Sequence, residues 1–185
     1  MFSTLRNAWK IPELRKRIIF TLLMLIVIRL GSGIPVPYMN KEVVRQIFET
    51  GKGGLLQFLD LISGGTLSNF SIFALSIYPY ITSSIIVQLL TVAIPKLEEL
   101  AKEGEEGRKK INLYTRIGAV ILAILQARGT TSLFRNALVA EDFVQNAVVL
   151  ISLVAGTSFL MWIGNLITEK GIGNGISLII FIGIV

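Results

Sequence analysis

An all-α, polytopic membrane helix bundle is the fold this sequence predicts, and three observations carry the prediction. The 185-residue chain is 52% hydrophobic and 16% charged, with a mean hydropathy of +0.69, whereas a soluble domain carries about 25% charged residues. Five apolar runs follow one another, each bounded by a polar or charged connection. One of them is preceded by a half-length apolar segment, Leu55 to Ile62, hinged onto it by Gly64 and Gly65. Broken backbone at membrane depth is tolerated only where protein or a water-filled cavity surrounds it. The pattern therefore suggests a conduit, with the rest of the chain as its wall.

The first 17 residues carry Arg6, Lys10, Arg15, Lys16 and Arg17 against the single acid Glu13. Phe2, Leu5 and Trp9 fall at i, i+3 and i+7. Two readings fit: a helix lying on the cytoplasmic membrane surface, and a solvated tail. The first span covers 18–34 and is interrupted only by Arg29. It outruns the apolar core of a signal peptide and no Ala-x-Ala site follows, so a retained helix is expected. Arg29 belongs near the outer end, where it can snorkel; at the bilayer centre it would cost about 2.5–3.5 kcal/mol. Pro35 and Pro37 stop the helix. The following 38–54 balances Lys41, Arg45 and Lys52 against Glu42, Glu49 and nearby Asp60, as a neutral outer loop would. The formal sequon Asn69-Phe70-Ser71 is read as chance so close to the membrane.

The second span is placed at 71–94, long enough for the roughly 20 residues a crossing needs. Pro95 then opens a charged loop to Arg116 with Lys96, Lys102, Arg108, Lys109, Lys110 and Arg116, and five glutamates. Orientation follows Lys and Arg rather than net charge. This loop and the basic N-terminus therefore both face the cytoplasm, and 38–54 and 128–142 face outward. The third span is placed at 111–127 with Arg116 at the interface. The fourth, 143–167, carries Ala155, Gly156, Thr157 and Ser158, suited to close helix contact. A tight inner turn, Glu169 to Gly175, leads into a fifth span at 173–185 that is too short to cross. A longer protein is expected.

Several chemistries are excluded. The chain has no Cys and no His, which removes disulfides, Cys/His zinc sites, haem ligation through either residue and Cys/His catalytic pairs. Asp60 is the only acid near membrane depth, so these residues form no aspartyl dyad. Gly171, Gly173 and Gly175 miss the dinucleotide fingerprint, because Ile176 takes the last position and no strand precedes them. No Walker motif is present. The net charge of +6 reads as loop asymmetry rather than a nucleic-acid footprint. No enzyme, cofactor or metal site is expected.

The informative face lies on the second span, where Ile77, Ile81, Ser84, Gln88 and Thr91 recur at helical spacing. The stripe is apolar near mid-membrane and polar towards the cytoplasm. It faces neighbouring helices, with its polar groups hydrogen-bonded to them, or it lines a cytoplasmic funnel that narrows to an isoleucine constriction and can gate by dewetting.

Seven stretches together carry a resemblance over essentially the whole chain. They are residues 29–37 (RLGSGIPVP), 63–68 (SGGTLS), 71–75 (SIFAL), 79–86 (PYITSSII), 102–110 (KEGEEGRKK), 159–164 (FLMWIG) and 167–177 (ITEKGIGNGIS). The sequence resembles the bacterial SecY family, the central subunit of the Sec protein-conducting channel; 38–54 and 128–142 add little. The resemblance implies a ten-span channel of two halves, of which this chain supplies four spans and part of a fifth. It implies a plug at 55–69, with Leu55, Phe58, Ile62, Ser63, Gly64, Gly65, Leu67, Ser68 and Asn69 among its residues. Ile77, Ile81 and Ile180 would belong to a pore ring. The second and third spans, with the polar stripe Ser84, Gln88 and Thr91, would form one side of a lateral gate. Implied partners are SecE and SecG subunits, the SecA motor ATPase, the ribosome, signal sequences, unfolded preproteins and the lipid bilayer, with nucleic acid met only through the ribosome. The implied place is the bacterial inner membrane. On residues alone, a small-solute secondary transporter is the alternative, since those also use broken helices. A transporter should place ionisable or ion-coordinating groups at the midplane, where this second span is aliphatic.

Overall fold

The computed structural model describes residues 11–50, 54–139 and 142–184, without the side chains of Thr50, Leu55, Leu56, Leu59 and Ile62. The choice between surface helix and tail for Phe2, Leu5 and Trp9 lies outside the described residues, as do the side chains of Leu55 and Ile62. The described residues are helical, in the order α1 (Pro12–Ser32), α2 (Lys41–Thr50), α3 (Leu55–Ser63), α4 (Tyr78–Ala93), α5 (Pro95–Lys102), α6 (Glu105–Leu133), a 3-10 turn (Arg135–Ala137), α7 (Phe143–Lys170) and α8 (Gly175–Ile184).

Helix α7 has 28 residues, about 42 Å at 1.5 Å per residue. Among the described residues it alone is long and apolar enough to cross a membrane by itself. Helices α1 and α6, of 21 and 29 residues, have the length. Their N-terminal turns carry most of their charges: Arg15, Lys16 and Arg17 on α1, and Glu105 to Lys110 on α6. Their apolar stretches lie beyond those turns. Helix α4 packs on α6, α6 on α7 and α7 on α8, and α1 lies against α7 and α8.

Hydrogen bonds fix which connections share an end. The Ile172 N–H donates to Thr21 Oγ1 at 3.1 Å, joining the N-terminal half of α1 to the turn before α8. At the opposite end the Asn40 N–H donates to the Ala137 carbonyl at 2.8 Å, and the Val139 N–H to the Tyr38 carbonyl at 3.1 Å. Residues 38–40 and 137–139 thus lie at one end, and the turn before α8 meets the N-terminal half of α1 at the other.

Three expected boundaries are corrected. The second span does not become helical at Ser71 but at Tyr78. Pro79 begins that helix rather than bending it, because a first-turn proline lacks only an N–H that no carbonyl would have accepted. Pro95 opens not a loop but α5, which departs from α4 at 103°, and α6 resumes at Glu105, so most of the charged stretch is helical. The segment after Tyr38, expected to be a loop, contains α2, whose Val44 and Phe48 are buried one turn apart.

The non-helical residues 70–77 are the most enclosed part of the chain. Phe70, Ser71, Phe73, Ala74, Leu75 and Ile77 are all buried. Their polar backbone is satisfied locally: the Val36 N–H donates to the Phe70 carbonyl at 2.9 Å and the Ile72 N–H to the Ile34 carbonyl at 3.0 Å. The Phe73 N–H donates to Ser71 Oγ at 3.1 Å. This is the condition under which irregular backbone survives in an apolar surrounding. Gly156 on α7 lets this segment approach, since a Cβ there would overlap the Ile72 carbonyl. Of the small residues around it, Thr157 is buried too, while Ala155 points outward.

Two clusters form the core. The first gathers Val44 and Phe48 of α2, Phe70, Phe134, Val149 and Leu153, with Phe134 stacked on Phe48 at 5.8 Å and edge-on to Phe70 at 5.4 Å. The second gathers Ile28, Phe73, Ile77, Leu160, Ile163, Ile167 and Ile179. Ile72 touches both.

Candidate functional site

The irregular segment ends at Ile77, the residue that caps α4, and Ile81 follows one turn later on the same face. Helix α8 brings Ile180 to the same aliphatic cluster. The three isoleucines singled out above therefore join one cluster, although they come from elements about a hundred residues apart. They are not equivalent. Ile77 is 1% exposed and belongs to the cluster's interior, while Ile81 and Ile180 are partly buried at its edge. Phe73, Leu160 and Ile179 are equally part of this cluster, and only packing identifies them. Their sequence signal, an apolar residue in an apolar run, is shared by dozens of others.

Helix α3 sits beside the cluster and touches α8. Its C-terminus is closed by Gly64 at φ 69°, with the Gly65 N–H donating to the Asp60 carbonyl at 3.0 Å, the left-handed glycine cap. A Cβ on Gly64 would also overlap the Gly183 carbonyl of α8. Glycine is required twice over, by dihedral and by contact. Asp60 then accepts the Ser68 N–H at 2.8 Å. Asn69 receives Arg45 Nη2 at 3.1 Å and donates to the Gly65 carbonyl at 3.0 Å. Ser63 is buried, and Leu67 packs against the first cluster. Where Ser63 meets Ile179, Ile182 and Gly183, the free space is only about 30 Å³, room for about one water. Phe58 and Leu61 are 62% and 66% exposed. They lie on the side of α3 turned away from these helices, while Gln57 Nε2 donates to the Phe48 carbonyl at 3.3 Å.

The polar stripe on α4 faces neither core cluster. Gln88 Nε2 reaches Ser84 Oγ at 3.5 Å and is exposed, and Thr91 Oγ1 donates to the Val87 carbonyl of its own helix at 2.7 Å. Among the described residues none of the three bonds to another helix. The interhelix bond is made by Ser83, whose hydroxyl donates to the Thr115 carbonyl of α6 at 2.8 Å, with Gly118 leaving it space. Sequence reading missed Ser83, which sits next to Ser84 with nothing in its type to set it apart. The arrangement is an aliphatic cluster shared by the start of α4, α7 and α8, with a short glycine-capped helix against α8.

A family model described as SecY matches residues 71–185. Curated relatives called protein translocase subunit SecY are 49% identical in Halalkalibacterium halodurans and 50% identical in Thermotoga maritima, each over 100% of this chain. The one from Escherichia coli K12 is 49% identical over 94% of it. The chain spans 43%, 46% and 40% of those relatives, respectively. Among solved structures, Sec61 in a canine ribosome-channel complex from the endoplasmic reticulum and a protein-conducting channel each superpose with a TM-score of 0.66 at 20% identity, over 97% of this chain and 40% of theirs. These share its helical fold.

Proposed function

The chain belongs to the SecY family, and from that premise we propose that it is the N-terminal half of a protein-conducting channel subunit. The whole subunit passes unfolded preproteins across the membrane and releases membrane segments sideways, without catalysis of its own. In this reading ten spans form two halves, and residues 18–185 supply four spans and part of a fifth. The segment 55–69 is the plug, Ile77, Ile81 and Ile180 belong to the pore ring, and Ser84, Gln88 and Thr91 line the route to the lateral gate. The observation that supports the reading is that Ile77, Ile81 and Ile180 belong to or pack against one aliphatic cluster, with a glycine-capped short helix against α8. A transporter would need polar or charged ligands there, and the cluster is aliphatic. The partners are SecE and SecG subunits, a SecA motor, the ribosome and signal sequences, in the bacterial inner membrane.

The full-length channel, reconstituted with SecE- and SecG-type subunits and a SecA-type motor, should carry an unfolded preprotein into vesicles, read as ATP-dependent protection from protease. ATP-independent accumulation of a small solute, with no preprotein protected, would restore the transporter alternative.

Topology gives a second prediction. The N-terminus and residues 96–116 face the cytoplasm, and 38–54 and 128–142 face outward. Because the chain has no cysteine, Lys109→Cys is a unique label site. An impermeant maleimide should miss it in intact cells and react after the inner face is opened; labelling from outside would invert the arrangement.

A further inference from the structure

We propose that a cavity between α6 and α7 binds the headgroup of a zwitterionic phospholipid. The cavity measures about 370 Å³ and is lined by Arg116, Glu169, Asn165, Trp162, Met161 and Val120, among others. It lies at the end of the bundle that carries the turn before α8, because Glu169 is one residue from the end of α7. Among the described residues, neither Arg116 nor Glu169 takes part in an ion pair. One unpaired cation and one unpaired anion thus line the same space without neutralising each other.

Those charges fit a ligand that carries one of each. A guanidinium takes a phosphate through parallel N–H donors, and a carboxylate takes an ammonium. An anionic lipid would satisfy Arg116 and be repelled by Glu169. Depth supports the same occupant. Helix α6 runs away from this end, so Val120 lies one turn deeper than Arg116. Helix α7 runs towards it, so Trp162 lies about two turns, or roughly 10 Å, deeper than Glu169. The lining grades from charged to apolar in the order of a phospholipid's headgroup and acyl chains. Trp162, 57% exposed, has the amphipathic ring that favours the membrane boundary. This site rests on the bundle lying in a membrane and not on its conducting a polypeptide.

The test uses the full-length complex with a benzophenone amino acid in place of Trp162, in nanodiscs of phosphatidylglycerol mixed equally with phosphatidylethanolamine or with phosphatidylcholine. After illumination, mass spectrometry identifies the lipid attached. The zwitterionic lipids should exceed phosphatidylglycerol about fivefold, the weight of one interfacial charge. Preference for phosphatidylethanolamine over phosphatidylcholine would add that the ammonium donates hydrogen bonds. Glu169→Gln should bring the ratio to about one, and Arg116→Gln should lower the yield of all three lipids. Lys110→Gln, off the cavity, should change neither. Equal labelling by the unsubstituted complex, an excess of phosphatidylglycerol, or attachment to a protein segment covering the cavity would overturn the proposal. The Glu169→Gln ratio is internal to each sample, so it reads selectivity even if a variant assembles in lower yield.

Discussion

Ile77→Ser combined with Ile81→Ser should turn the resting channel into an ion leak, with conductance at least about tenfold above the unsubstituted complex when no substrate is present. Tenfold corresponds to lowering the barrier by about 1.4 kcal/mol. A conduit for polypeptides must yield to side chains of every size and still hold back ions. Branched aliphatic side chains do both, because they deform around a chain and offer an ion nothing to replace its water. Serine hydroxyls supply hydrogen bonds that wet the constriction. Burial separates the two positions. Ile77 is almost fully enclosed, so its replacement also removes core packing, an effect of a few kcal/mol in large-to-small substitutions. Ile81 stands at the cluster's edge. Ile81→Ser alone should therefore leak with little loss of stability, which separates wetting from unfolding. The Ile77→Leu and Ile81→Leu pair keeps volume and polarity and should remain close to the parent.

Locking the short helix should abolish translocation. Ser63 and Ile182 line the same narrow space where α3 meets α8, and no native cysteine competes. In the full-length complex, Ser63→Cys and Ile182→Cys joined by a short cleavable bis-thiol reagent should stop preprotein import, and cleavage should restore it. Each single variant treated alike should transport normally. Among the described side chains of this helix, Phe58 and Leu61 are exposed, and it is tied by the Gly64–Gly183 approach, the Asp60–Ser68 bond and the Gln57–Phe48 bond. Segments with few buried apolar contacts open at low cost. Unimpaired import with the bridge fully formed would remove the plug assignment.

Much of this arrangement is legible in the sequence, and what is not has a physical reason. Long apolar runs announce their helices, since length and hydropathy are local properties. The start of α4 is not legible locally because residues 70–77 are as apolar as a helix, and their conformation is set by pairing with residues 34–36, a non-local choice. Helix α2 is hidden in a short, charge-balanced segment whose two buried residues, Val44 and Phe48, find their partners in a cluster gathered from across the chain, Phe70 and Phe134 among them. At the site, the spacing of Ile77 and Ile81 was readable. The joining of Ile180 to them came only from family resemblance, and the pairing of Ser83 with α6 from no sequence signal at all.

The proposal that these isoleucines seal the conduit is tested most directly by conductance in planar bilayers, using the full-length complex with 55–69 deleted and no substrate present. With the short helix gone, the constriction is the remaining barrier. Ile77→Ser with Ile81→Ser in this background should conduct well above the same deletion with isoleucines intact. Equal, low conductance in the two would mean that Ile77 and Ile81 do not line the path.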